Sequence, residues 1–324
     1  MHKTANEIER LMAPVLDGAQ LRHLRAVLAS VLYGGGDSKR DVDVTIESQI
    51  EKFLAAKRLE GCSERSLAYY SSTLKRFAQR VSKPTYEIST SVIRDYLSGY
   101  QGESCASSVT IDNIRRIISS FFSWLEEEGF IYKSPVKRIK KIRTSKPVKP
   151  VYTDESLEVL RDSCENTRDL AIIDLLASAG IRVGELVKLD SDDIDFESRE
   201  CIVHGKGSKE RRVYFDARAK VHLQAYLDKR DDDNPALFVS LNNPHNRLEI
   251  SGVEARLRNL GRNLEMPRVY PHKFRRTLAT KAIEKGMPIE QVQVLLGHSK
   301  IDTTLCYAMV DQENVKQSHR KYIG

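Results

Sequence analysis

Long apolar runs are missing from this chain. No stretch approaches the roughly 18–20 uninterrupted apolar residues that cross a bilayer, and the mean hydropathy is −0.43, which excludes a membrane protein. The first residues, MHKTANEIERLM, have neither the short apolar core nor the small-residue cleavage site of a signal peptide. Cysteine is scarce: Cys62, Cys105, Cys164, Cys201 and Cys306 are odd in number, widely spaced and in no CxxC pair. That excludes a disulfide framework and a zinc site and fits a reducing compartment. HExxH, EF-hand and GxSxG patterns are absent. GKGSK invites a phosphate-loop reading, but Glu200 and Gly207 stand where that motif needs Gly and Ser or Thr, and a strand follows instead of a helix. The acidic run 190–195 reads as a solvated, capped loop and not as a metal site. With 324 residues, 40% hydrophobic and 30% charged, the chain is expected to be soluble, cytoplasmic and folded as two domains.

What is present is mostly helical periodicity. Residues 4–32 carry two short amphipathic patterns turned at Asp17-Gly18 and followed by a flexible Gly34-Gly35-Gly36 run. This hairpin holds four Lys+Arg against three acids over residues 1–33, which favours packing over DNA contact. Segments 44–59, 64–81, 88–99 and 109–129 repeat apolar residues at i, i+3 and i+4, with breaks at Gly61 to Ser63, Ser82 to Pro84 and Gly102 to Ser104. Four such helices make a small all-α domain cored by Phe121, Phe122, Trp124 and Leu125. From 151, helices are expected over 154–164, 167–179, 217–228, 251–262, 273–285, 288–296 and 302–310. Thr153 caps the first, and 200–204 with 211–215 form a hairpin. The fold class is mainly α with a small sheet.

Charge is unevenly placed. The net charge is +7, yet residues 133–149 hold +8, leaving the rest of the chain at −1. Lys133, Lys137, Arg138, Lys140, Lys141, Arg143, Lys146 and Lys149 form this strip without one acid, and Pro135, Pro147 and Pro150 stop it from being a continuous helix. Such density between two domains predicts a basic linker that contacts phosphates.

The second domain places cations and a phenol at structural junctions. Arg182 follows the helix-ending Gly180 and adds a fork of donors to a helix start, which already favours anions. Lys206 lies at the hairpin turn between two glycines. His272 and Arg275 are three apart around the helix start after Pro271, so both project from one side. His298 follows the capping Gly297, and Tyr307 comes nine residues later. Singly, each residue has a plain structural explanation; together they make chemistry the better one.

Arg182 in AGIRVGELVKL, Lys206 in GKGSKERRV, His272 and Arg275 in PHKFRRTLAT, and His298 with Tyr307 in LLGHSKIDTTLCY resemble the tyrosine recombinases of the phage-integrase and Xer-like kind. The likeness covers 43–310 in order, interval and flanking residues. It implies a helical core-binding domain over 41–132, a linker over 133–150, a mostly helical α+β catalytic domain over 151–310, and a C-shaped clamp on DNA. It further implies a 3′-phosphotyrosyl intermediate made by Tyr307, with Arg182 and Arg275 on the phosphate and Lys206 as general acid. His272 is implied as acid/base partner of the tyrosine and His298 as a further donor. Lys209 and Arg211 join the strip as expected DNA contacts. No cofactor is implied, because the covalent link conserves the bond energy. The implied partners are double-stranded DNA with paired inverted-repeat core sites, a homotetramer on two duplexes joined by a Holliday junction, and accessory DNA-bending proteins. A tail over 311–324 would be exchanged between protomers, and the protein would lie at the nucleoid. Two departures stand out: Arg276 occupies a position usually held by His, and residues 1–36 have no counterpart in a minimal Xer-like chain.

Three rival readings have distinct marks. A type IB topoisomerase shares the tyrosyl chemistry but would relax supercoils without paired sites, and the helical core-binding domain favours recombination. A silent DNA-binding relative is opposed by the complete set of six residues. An oligomerisation protein built on the 4–32 hairpin would fail to assemble without it. Tyr270 and Tyr322 are the competing nucleophiles. Tyr270 reads as an anchor before Pro271, and Tyr322 sits two residues from the chain end.

Overall fold

A computed structural model describes residues 2–32, 45–144, 149–205, 210–307, 319, 320 and 323. The glycine run at 34–36, Lys146, Lys206, Lys209 and nearly all of the 311–324 tail lie outside the described residues. The chain divides into two compact units, Met1–Pro147 and Val148–Gly324.

The first unit begins with the two short helices α1 (His2–Met12) and α2 (Gly18–Leu32). Asp17 turns the chain by accepting the Gln20 N–H at 2.9 Å, and Arg25 pairs with Glu9 at 2.8 Å across the hairpin. Gln20 donates to the Tyr132 hydroxyl at 3.0 Å, which ties the hairpin to the rest of the unit. Four longer helices follow: α3 (Ile46–Leu59), α4 (Glu64–Val81), α5 (Thr90–Ser104) and α6 (Ser108–Glu127). Thr45, Ser63, Ser89 and Ser107 cap their starts, each side chain accepting a backbone N–H three residues on. Phe53, Phe77, Phe121 and Phe122 are fully buried between them, and Phe53 meets Phe121 edge-on at 5.4 Å. Each such ring contributes about 2–3 kcal/mol by burial. Helix α5 runs five residues past the expected end at 99. Gly102 sits in it where an added Cβ would meet open space, a tolerated cost of about 1 kcal/mol, while Tyr96, Leu97 and Tyr100 hold the helix to the core. It stops at Cys105, whose φ of 48° ends the helical run.

The basic strip departs from a free linker over its described first part. Residues 133–144 are fastened to the first unit by their backbone and apolar residues. Val136 is buried, and Ile139 and Ile142 pack on the same core. Asp112 accepts the Ile142 N–H at 3.1 Å, Glu126 accepts the Ser134 N–H at 3.2 Å, and Thr90 donates to the Pro135 carbonyl at 2.7 Å. Isoleucines turned inward leave Lys133, Arg138, Lys140, Lys141 and Arg143 exposed, with Lys137 pairing to Glu126 at 2.6 Å. Composition could not show this anchoring, because it rests on two acids from α6.

The second unit is built around α8 (Thr167–Ala179), whose Ala171, Ile172, Ile173, Leu175 and Leu176 are all buried. Helices α7 (Asp154–Asp162) and α10 (Ala217–Leu227) flank it, and Thr153 caps α7 as expected. After α8 comes a single turn, α9 (Val183–Leu186), which starts at Arg182 as expected. The capped 190–195 loop follows, with Asp190 and Asp193 in a reciprocal capping box. A three-stranded antiparallel sheet has the order β1 (Ile194–Asp195), β2 (Glu200–His204), β3 (Glu210–Tyr214). Cys201 pairs with Val213 and Val203 with Arg211, so these four share the inward face. The rest is α11 (Ile250–Asn263), α12 (Pro271–Glu284), α13 (Ile289–Leu296) and α14 (Ile301–Leu305).

Candidate active site

The second unit gathers its charged residues around the carbonyl end of α13. Gly297 ends that helix at φ +62°, a left-handed conformation natural to glycine. A Cβ there would lie 2.7 Å from Arg211 Cδ, so glycine is also needed for room. Arg182 caps α9, and its Nη2 donates to the Gly297 carbonyl at 3.1 Å. Its Nη1 reaches Glu185 Oε1 at 2.7 Å, and its backbone N–H reaches Oε2 at 2.8 Å. Glu185 is 5% exposed and takes a second fork from Arg211, at 2.8 and 2.7 Å. Burial alone would raise this carboxyl, but the hydrogen bonds from Arg211 and Arg182 outweigh it and hold it at about 2.

Arg275 lies deeper, 1% exposed, with Nη1 donating to the Gly180 carbonyl at 2.6 Å and Nη2 to the Leu296 carbonyl. Its Nε is buried without a partner among the described residues, and each Nη carries a second hydrogen beyond the one given to these carbonyls. Burial first, then the neighbouring Arg182 and Arg211, lower its value to about 10, so it remains a cation at neutral pH. One turn earlier on α12, His272 faces solvent. Desolvation, followed by Arg275, Arg182, Arg276 and Lys149, lowers it below the ordinary histidine range.

His298 follows Gly297 directly, and its Nδ1 meets the hydroxyl of the fully buried Thr304 at 2.9 Å. Desolvation and the three arginines Arg275, Arg182 and Arg211 push it down to about 4, so its imidazole is neutral at pH 7. Tyr307 follows α14 and stacks on this imidazole, with ring centres 6.0 Å apart at 25°. It is also partly buried against the cluster of Ala279, Val292 and Leu296. Tyr270 is instead an N-cap residue of α12, 3.4 Å from Arg276 and distant from this role.

Five of the six expected residues therefore meet, and Lys206 lies outside the described residues, as do Lys209 and Lys146. Arg211 is a correction. Expected among the DNA contacts, it turns inward with a side chain 13% exposed, because it shares the face of Val213 in β3 while Arg212 takes the solvent side. Strand alternation carried that signal. Glu185 and Thr304 were missed; Glu185 stands three residues after Arg182, the spacing of a capping box.

Convergent guanidiniums with a neutral imidazole and a phenol can hold an oxyanion beside a nucleophilic oxygen, the groups that phosphodiester transfer needs. Residues 151–314 match the Phage integrase family, and residues 50–130 match the Phage integrase, N-terminal SAM-like domain. The chain is 30% identical to tyrosine recombinase XerC of Herpetosiphon aurantiacus over 284 residues, covering 83% of this chain and 92% of that one. It is 29% identical to XerC of Oceanobacillus iheyensis over 300 residues, covering 85% and 96%. In fold it resembles the XerH site-specific recombinase bound to palindromic difH (TM-score 0.68, 20% identity, 97% of this chain and 93% of that one). It also resembles the Tn1549 transposon integrase in complex with a circular intermediate DNA (TM-score 0.70, 18% identity, 86% and 99%). The chain belongs to the phage integrase family and is a tyrosine site-specific recombinase.

Proposed function

We propose that Tyr307 cuts DNA by attacking the scissile phosphate, forming a 3′-phosphotyrosyl bond and releasing a 5′-hydroxyl. The observation that carries the reading is the pairing of Tyr307 with His298 beside Arg182 and Arg275. Arg182, more exposed than Arg275, and the unused N–H groups of Arg275 bind the non-bridging oxygens, where negative charge grows in the transition state. The neutral His298 donates to the same oxygens from Nε2, leaving Nδ1 to accept from Thr304. His272, neutral and solvent-facing, takes the phenol proton, and Lys206 protonates the departing O5′. Attack by the 5′-hydroxyl of another strand reverses the step and restores Tyr307.

The exposed cations of residues 133–144, with Lys149, bind duplex phosphates, and four protomers exchange strands between two inverted-repeat cores through a Holliday junction. The tail 311–324 joins neighbouring protomers, accessory DNA-bending proteins assist assembly, and the protein works at the nucleoid. Solved relatives bound to DNA support this reading; among the described residues no helix is long and apolar enough to cross a membrane.

The test is a nicked suicide duplex carrying a core selected by the protein from a randomised pool. The wild type should form a covalent adduct with it, and Tyr307→Phe should form none while binding with unchanged affinity. An undiminished adduct with Tyr307→Phe would overturn the assignment.

A further inference from the structure

Three successive carbonyls at the end of α13 accept from three arginines on three different elements. Leu295 O takes Arg211 Nε of β3 at 3.3 Å, Leu296 O takes Arg275 Nη2 of α12, and Gly297 O takes Arg182 Nη2 of α9 at 3.1 Å. A helix C-terminus leaves its last carbonyls unpaired and negative, so it attracts cations. Arg211 differs from the other two. Its side chain is largely covered, it forks both Nη groups onto Glu185, and the space it crosses exists because Gly297 has no Cβ. Glu185 in turn holds both the backbone and the side chain of Arg182. A closed ring results: Arg182, Glu185, Arg211, the end of α13, and back to Arg182 through the Gly297 carbonyl. His298 is the next residue along.

We propose that Arg211 is a positioning residue of the recombination reaction, a pin that fixes Arg182 against the helix end carrying His298. The proposal rests on the reading of Arg182 as a phosphate ligand. Among the described residues, the hydrogen bonds of Arg211 go to Glu185 and to the Leu295 carbonyl, which leaves it behind Arg182 and not in front of it. A lysine would keep a charge beside Glu185 but could not supply the fork and the third bond together. Arg182 would then lose its fixed angle, and misplacement of a catalytic group by about 1 Å costs on the order of 100-fold in rate.

The experiment measures single-turnover cleavage of the nicked suicide duplex by the full chain and by Arg211→Lys, Arg211→Ala, Arg182→Lys and the double variant Arg182→Lys/Arg211→Lys. Arg211→Lys keeps the buried carboxylate paired, so it serves if Arg211→Ala does not fold. The expected result is cleavage slowed about 10- to 100-fold in Arg211→Lys, with duplex affinity and its salt slope as in the wild type. Because Arg211 acts through Arg182, adding Arg211→Lys to Arg182→Lys should slow cleavage by less than about twofold further. Independent losses in the double variant would overturn the proposal. So would a wild-type rate in Arg211→Lys, or a salt slope lowered by about 1, the mark of a direct phosphate contact. A wild-type rate in Arg182→Lys would instead bring down the phosphate-ligand reading, and the pin with it. A crippled Arg182→Lys beside an active Arg211→Lys would remove the pin alone.

Discussion

The two units bury different things. The first closes over phenylalanines, and among its described residues the buried polar ones are Gln49, Thr73, Thr85, Asp112 and Ser134, with no cation. The second buries Arg168, Lys273 and Arg275 together with Asp174 and Glu185. Taking a charge out of water costs several kcal/mol unless a partner compensates it, and replacing such pairs by apolar residues often stabilises a protein. Among the described residues, cations are buried only in the second unit, at the site in Arg275 and in its framework in Arg168 and Lys273. Arg275 is fixed by two carbonyls, Arg168 by Asp169 and the Val239 carbonyl, and Arg211 by Glu185. The first unit sends its cations outward along 133–144 and keeps the isoleucines of that strip for its core.

The sharpest way to break this contrast is to damage each core in its own currency. Phe121→Ala should cost about 3–5 kcal/mol and lower the unfolding transition of the first unit. Glu185→Gln should cost a similar 3–5 kcal/mol in the second unit by leaving Arg211 and Arg182 without their counter-charge. Denaturant unfolding followed by Trp124 fluorescence for the first unit, and by hydrogen exchange of α8 for the second, would separate them. A Phe121→Ala effect that appeared in both units would join what the two cores separate.

Acid is the next lever. The folded value of Glu185, about 2, lies below its ordinary 4.5. Its stabilisation is complete above pH 4.5 and disappears as pH falls toward 2, a loss of about 3 kcal/mol. The second unit should lose stability over that window, and Glu185→Gln should remove the dependence. In the DNA-free protein His298 should titrate near 4 by NMR; titration at the ordinary histidine value would mean that the arginines do not act on it.

A smaller effect is expected at Thr304. Thr304→Val removes one hydrogen bond to His298, worth about 1 kcal/mol, and should slow cleavage several-fold with little change in duplex affinity. Smallest in stability, and confined to binding, are changes in the strip. Replacing Lys140, Lys141 and Arg143 by Ala should leave unfolding within about 0.5 kcal/mol of wild type while lowering the salt slope of duplex binding by about 3. Lys137→Ala should lower it less, because Glu126 already neutralises that cation.

Much of this was legible in the sequence. Helix α4 was expected over 64–81 and α8 over 167–179, and both occupy those residues, since their caps and apolar spacing are local signals. The candidate site was legible because its residues sit in short motifs of fixed order. Arg211 was misread because a basic residue next to a basic turn looks solvent-facing until the strand pairing turns it inward. Glu185 was overlooked because a carboxylate in a short helix has many plain uses, and only its burial between two guanidiniums singles it out.

By itself the sequence determined the helices, the breaks between them, the position of the charged strip and the reactive residue types, because each depends on neighbours a few positions away. Only the tertiary structure decided what those residues face. It fastened Ile139 and Ile142 to an aromatic core. It turned Arg211 onto Glu185, and it brought residues 182, 211 and 275 to three adjacent carbonyls of one helix end. Such contacts join positions up to 115 residues apart. They depend on burial and on which face of a strand or helix meets the core, and no local pattern encodes that meeting.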